Sequence, residues 1–393
     1  MNKKDASLPL TVLLGALIAL TPLGTDLYAP SLPVIAQGFG VAARDAQFTL
    51  TTFFIGIALG QLVWGPLSDR FGRRPVLLGG LSIMLVTALA AVPAQSVGEV
   101  AALRLAQGLG MSSGPVIGRA VVRDLYSHEQ AARLLSAMAI VFSIVPIAAP
   151  LAGAALAGAA GWQAVFWCIA TIAAILIGAV ATGLAETVPA ERRSVHPARI
   201  GRTFASIASD RRFLAPYSIM FSAQCGIIGF VSSSAFALVR EGVSTFEFGL
   251  MFAAVMLGQI TGAWASSRLV VGIGIPRMLR LGSALMLASG FATAALAWAG
   301  VWHWLAIVLP FMVFLFGTAL IIPNATAAAL SPFPQAAGAA SSLIGALGFT
   351  GGALVSLALA GAFDGTPRAL ATAGALAGLA AFACERFLLR GKA

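Results

Sequence analysis

A run of about 20 apolar residues is long enough to cross a bilayer as one helix, and this chain contains twelve such runs in succession. They cover residues 9–36, 47–65, 75–94, 98–121, 132–158, 162–184, 213–238, 246–269, 276–299, 303–328, 336–362 and 367–388. Only 10% of the residues are charged and 59% are hydrophobic, against about 25% charged in a soluble domain. That is too little polar surface to hold the chain in water. A spanning segment must satisfy its own backbone, and these runs do not alternate as barrel strands do, so they read as helices. The expected fold is an all-α polytopic membrane protein with twelve transmembrane helices. The first run follows Lys3 and Lys4 as a signal peptide would. It is too long, carries Asp26 and lacks a small-x-small cleavage site, so an uncleaved helix is expected.

The basic residues test this count. Twenty of the twenty-four lysines and arginines fall in the ends and loops of one side, including Arg70, Arg73, Arg74, Arg119, Arg123 and the cluster from Arg192 to Arg212. Arg44, Arg240 and Arg368 fall on the other side, and Arg104 lies inside the fourth run. Basic loops mark the cytoplasmic face. Both termini are therefore expected in the cytoplasm of a bacterial cell, with the chain in its inner membrane. The net charge of +10 then reflects topology, and nucleic acid is not a partner.

Several chemistries are excluded. The lysines are confined to positions 3, 4 and 392, so there is no internal G-x-x-x-x-G-K-[ST] phosphate loop. Cys168, Cys225 and Cys384 stand singly in apolar stretches, a pattern that predicts neither a disulfide framework nor a metal site. No cofactor is called for. One enzyme signature does occur: GMSSG, Gly110 to Gly114, matches a G-x-S-x-G nucleophile elbow. An intramembrane serine hydrolase would need a base within hydrogen-bond reach, and His128, His196 and His303 all map to loops or span ends. Small-residue helix packing explains the stretch better.

The longest polar break, residues 185–212, divides the chain into an amino-terminal unit (1–184) and a carboxy-terminal unit (213–393) of six helices each. IALGQLVWGPLSDR, starting at Ile57, has a counterpart in VMLGQITGAWASSR, starting at Val255. Both lie in the second helix of their unit, as a duplication would place them. Transporters built from such repeats bind substrate between them, near the bilayer midplane.

Four motifs carry the chemistry. GPLSDRFGRRPVLL supplies Gly65, Asp69, Arg70, Gly72, Arg73 and Arg74 to a cytoplasmic turn, where an acid can face a helix amino terminus. In the fourth run Arg104 is followed by Gln107, Gly108 and Gly110; an intramembrane arginine is costly and marks function by default. The fifth run holds Pro146, Pro150 and Gly153, residues that kink a helix and allow close approach. The first run holds Asp26, the one acid deep in any span, and a carboxyl there can take up and release a proton.

These motifs, with VVRDLYSHEQAARLL, GWQAVFW and PNATAAAL...GAASSLIGALGF, resemble the major facilitator superfamily, and within it the bicyclomycin/chloramphenicol-resistance (Bcr/CflA) type of drug:proton antiporter. The resemblance covers nearly the whole chain. It implies a conformational latch at Asp69 and the loop arginines, proton coupling through Asp26 and Arg104, and an antiporter motif at Pro146, Pro150 and Gly153. The chain departs from the family at Ser267, where the second copy of the loop lacks its acid. Ala149 and Ala154 replace glycines, and Ile18 stands where some relatives carry a second acid. The implied function is export of small amphipathic drugs in exchange for protons, by a monomer whose partners are its substrate, protons and the bilayer. A proton-linked metabolite or amino-acid exporter is the alternative. Tyr28, Phe54, Phe142, Gln224, Phe230, Asn324 and Phe349 are the candidate substrate contacts.

Overall fold

The computed structural model describes residues 8–126, 128–188, 197–239 and 243–389, which are helical throughout apart from short connections. The first run is α1 (Leu8–Ile18), α2 (Leu20–Asp26), a 3-10 turn over Ala29–Ser31 and α3 (Leu32–Phe39). It bends by 49° between α1 and the rest; Pro22, Pro30 and Pro33 interrupt the backbone ladder. Next come α4 (Ala43–Phe71), α5 (Arg73–Ala91), α6 (Val97–Met111), α7 (Ser113–Leu125), α8 (His128–Ala160) and α9 (Gln163–Gly183). A further helix, α10 (Pro197–Ser209), lies inside the expected polar linker. Its Ile207 is buried, docking it against the bundle. After it follow α11 (Arg211–Val239), α12 (Thr245–Trp298), α13 (Trp304–Leu330), α14 (Ala337–Ala362) and α15 (Arg368–Cys384).

All twelve apolar runs fall on helix. Among the described residues, eight helices are individually long and apolar enough to span, and the bent first run makes a ninth. The eighth and ninth runs share the 54-residue α12, broken at Gly274, whose φ of 77° lies in the left-handed region. Pro276 follows it and cannot supply the missing N–H. The fourth run is likewise two helices, meeting at Ser112. Local signals set the starts: Ser96 caps α6 by accepting from the Glu99 amide, and Ser244 with Glu247 forms a capping box on α12.

Glycines set the helix spacing in a repeated pattern. An added Cβ at Gly60 would lie 1.9 Å from Ser112 Oγ, and one at Gly258 would lie 2.0 Å from the Met312 carbonyl oxygen. These are the two glycines of the repeated Leu-Gly-Gln. Gly80 and Gly110 meet across α5 and α6 as Gly282 and Gly317 meet across α12 and α13. Arg70 stacks on Phe71 and Arg268 on Trp264, so the terminal arginines of the repeat also behave alike.

α4 and α14 run antiparallel along most of their length. Thr51 and Ser356 hydroxyls meet at 2.8 Å near one end, Phe54 stacks on Phe349 with ring centres 6.2 Å apart, and Gly345 faces Gln61. At the other end Gly65 faces Ser342. The contact positions the central cavity on one side and the Asp69 turn at its end.

Candidate functional site

A cavity of about 250 Å³ lies among α2, α4, α8, α11, α12, α13 and α14. Asp26 is the one acid in its wall among the described residues. Gln224 and Gln259 supply amides, Thr21 and Thr25 hydroxyls, and the remainder is apolar: Phe54, Phe349, Ile227, Val231 and Met256 among others. The Thr25 hydroxyl lies 3.0 Å from Asp26 Oδ1. A small compound with an apolar body and one cationic or hydrogen-bonding group matches such a lining.

Of the residues singled out in the sequence, Asp26, Phe54, Pro146, Gln224 and Phe349 share this cavity. Three candidate contacts lie elsewhere. Tyr28 is fully buried, its hydroxyl 2.7 Å from Thr49 Oγ1 and its ring against Phe166. Phe230 packs between Phe252 and Phe311. Asn324 donates to Ser266 Oγ at 2.9 Å and to the Leu320 carbonyl, on the face of α13 away from the cavity-lining Ile322. Phe142 lies outside the described side chains. Gln259 was missed, although the Leu-Gly-Gln repeat pointed to it; Thr21, Thr25 and Met256 carry no comparable signal.

Arg104 is buried beside the cavity and held by two hydrogen bonds and two aromatic rings, while its Nε has no partner among the described residues. It donates to Gln107 Oε1 at 2.6 Å and to the Gly24 carbonyl at 2.9 Å. Its guanidinium lies 3.8 Å from the Phe53 ring centre and 4.0 Å from that of Tyr28. It thus meets the carbonyl end of α2, where the helix dipole favours a cation. Gly108 allows this close packing, since a Cβ there would come within 2.2 Å of the Phe53 carbonyl oxygen. Gly110 does the same against α5. Ser112 and Ser113 are fully buried at the α6–α7 junction, Ser112 donating to the Leu109 carbonyl.

Gly153 brings α8 onto the break in the first run; an added Cβ would lie 2.0 Å from the Leu27 carbonyl oxygen. On either side of Gly153 in sequence, the Pro150 carbonyl and Ala154 meet Gly249 of α12. This part of α8 is therefore wedged between the first and eighth runs.

At the opposite end of α4, Gly72 turns the chain with φ 99°. Arg73 pairs with Asp69 at 2.5 Å and with Asp124 at 3.0 Å, and donates to Ser68 Oγ. Glu186, absent from the sequence-based set, accepts from the backbone N–H of Arg73 and Thr187 at 2.9 Å and from those of Val188 and Arg74. Burial pushes its carboxyl upward, but these amides outweigh that and hold it below the ordinary carboxylate range. Glu186 thereby caps α5. Arg74 donates to the Ala181 carbonyl. The carboxylate of Asp69 is half exposed and faces a second cavity of about 470 Å³, shared with Arg119, Arg123 and the first turn of α14 at Ala337 and Gly338. Arg70 lies over the ring of the neighbouring Phe71.

The sequence pattern of the Major Facilitator Superfamily matches residues 14–356. A bicyclomycin resistance protein homolog of Haemophilus influenzae is 34% identical over 90% of this chain and 89% of its own length. A chloramphenicol resistance protein of Pseudomonas aeruginosa is 30% identical over 87% of this chain and 81% of its own. Among solved structures, the xylose transporter XylE of E. coli superposes with a TM-score of 0.74 at 15% identity, covering 96% of this chain and 97% of its own. The human organic anion transporter MFSD10 gives 0.71 at 18%, over 96% and 99%. The helical bundle and its central cavity are those of a membrane transporter. The chain belongs to the major facilitator superfamily, and its sequence relatives group it with the bicyclomycin-resistance type.

Proposed function

We propose that the protein exports small amphipathic drugs from the bacterial cytoplasm in exchange for protons, by alternating access. The observation that carries this reading is a lone carboxylic acid, Asp26, in the wall of an otherwise neutral and mostly apolar cavity. Substrate and proton then compete for one site. The names of the resistance and multidrug relatives support drugs as the substrate class.

Arg104 acts on this site by holding the Gly24 carbonyl, and so the backbone that presents Asp26. Residues 1–184 and 213–393 are the two moving units, joined by 185–212; the paired glycine contacts around Gly60 and Gly258 support that division. Asp69, Arg73 and Asp124 form the latch. When the 470 Å³ cavity closes, the Asp69 carboxylate meets the amino-terminal turn of α14. Pro150 and Gly153 keep the other end shut.

The test is transport in inverted membrane vesicles energised by a pH gradient, using a chemically varied panel of chloramphenicol-like compounds, lipophilic cations and amino acids. Accumulation of lipophilic drugs that collapses with the gradient is expected. Accumulation of amino acids alone would replace this reading with a metabolite exporter.

A further inference from the structure

A crevice of about 580 Å³, larger than the central cavity, opens on the flank of the bundle between α14 and α15. α14 packs on α4 and α11, and α15 packs on α11 and α12, so the two make few contacts with each other. Their facing side chains are too small to fill the space: Ala358 and Ala362 on one wall, Ala369, Ala373 and Ala380 on the other. Cys225 of α11 forms the floor. Phe221 and Gln224, seated against Gly351 and Gly348, separate the crevice from the drug cavity. From Arg368 to Ala380 it follows α15 for about 18 Å at 1.5 Å per residue. That is close to one leaflet, half of the roughly 30 Å hydrocarbon core.

The mouth is polar and bears one charge of each sign. Arg368 lies against the rings of Trp298 and Trp302, 5.0 and 5.7 Å from their centres. Its side chain forms no hydrogen bond or ion pair among the described residues, and its Nε is buried without a partner. Asp364 Oδ1 accepts hydrogen bonds from the Thr366 hydroxyl and backbone amide. The Thr366 hydroxyl above all, then backbone amides and the nearby charge of Arg368, hold this carboxyl below its ordinary value, so it stays charged at neutral pH. Trp298 donates to Thr372 Oγ1 at the rim, where tryptophans mark the headgroup level of a bilayer.

We propose that this crevice is a binding site for a phospholipid with a zwitterionic, amine-bearing head. One acyl chain fills the alanine-lined slot, the phosphate meets Arg368, and the ammonium meets Asp364. An apolar slot one leaflet deep accounts for the chain. A guanidinium and a carboxylate side by side match a zwitterion better than an anionic head, which Asp364 would repel.

Photocrosslinking tests this on the purified protein in lipid nanodiscs, with a diazirine in the acyl chain of phosphatidylethanolamine or of phosphatidylglycerol. The expected result is labelling concentrated between Ala373 and Ala380 and around Cys225, about tenfold stronger for phosphatidylethanolamine. Arg368→Gln should reduce it by a similar factor while labelling elsewhere on the lipid-facing surface is unchanged. Ala373→Trp should abolish it by filling the slot. Arg368→Gln, a change at the rim, keeps the test decisive if the tryptophan variant fails to fold. Uniform labelling around the bundle, equal labelling by both lipids, or labelling indifferent to Arg368→Gln would overturn the proposal. Competition by soluble phosphoethanolamine without its chains would also overturn it, since a headgroup site would then suffice.

Discussion

Arg104 and Asp26 do not form an ion pair; the guanidinium instead donates to the carbonyl of Gly24, two residues before the acid, at 2.9 Å. The direct link from Arg104 toward Asp26 is therefore to the backbone of α2, and in the proposed mechanism the arginine acts on the acid by that route. Stacking between Tyr28 and Phe53 fixes the arginine's plane, and Gln107 fixes its fork. Lysine would keep the charge and lose both the plane and the fork.

Arg104→Lys is accordingly expected to lower proton-driven export by at least about tenfold. It should also lower unfolding stability by about 1–3 kcal/mol, the usual cost of leaving a buried acceptor unmet. Transport assays together with thermal unfolding in detergent check both effects. Full activity in the lysine variant would show that charge alone matters.

Gly153→Ala would put a methyl 2.0 Å from the Leu27 carbonyl oxygen, whereas Gly158 on the same helix has open space around it. The first substitution should destabilise by about 1–3 kcal/mol through overpacking and depress export. Gly158→Ala should leave export unchanged and cost no stability, alanine being the better helix former by up to about 1 kcal/mol. Parallel unfolding curves make the comparison.

The apolar runs, the basic loops and the motif loop were legible because the bilayer imposes length, hydropathy and charge rules on sequence directly. The side-chain directions were not. Thr21 and Tyr28 are seven residues apart and would share a face of a continuous helix. α2 stops at Asp26, however, and the 3-10 turn that follows sends Tyr28 to Arg104. Asn324 lies two residues from the cavity-lining Ile322, about 200° round the helix. Glu186 looked like an ordinary loop acid; besides the local amides of Val188 and Thr187 it accepts from those of α5, which tertiary packing brings to it. The break in α12 was readable from Gly274 and Pro276, while docking of α10 through Ile207 needed the fold.

Glu186 predicts a pH dependence. Its folded-state carboxyl titrates below the ordinary value of 4.5, so its contribution is present above that value. It is lost as the pH falls through the depressed one. Glu186→Gln should lower stability at neutral pH, and the difference between the two proteins should shrink on acidification below about 4.5. Unfolding midpoints between pH 3 and 7 measure it. A constant difference across that range would remove Glu186 from the cap of α5.

Asp69→Asn removes the acid from the turn while Arg73 retains Asp124 and Ser68. A carboxylate at a helix amino terminus contributes about 0.3–1 kcal/mol, and up to about 2 when partly buried. Loss of about 1.4 kcal/mol shifts the two access states about tenfold. The expected result is altered cysteine accessibility on the two membrane faces, with near-normal equilibrium drug binding. Unchanged accessibility with lost binding would move Asp69 out of the latch and into the substrate site.

The central claim is that substrate and proton compete at Asp26, and proton release on drug binding measures it most directly. The purified protein, in weakly buffered detergent solution near neutral pH, is mixed with a transported lipophilic cation while a pH indicator is followed. The account predicts a proton released on binding to the wild-type protein and none from Asp26→Asn at saturating drug. Equal release from both proteins would contradict it.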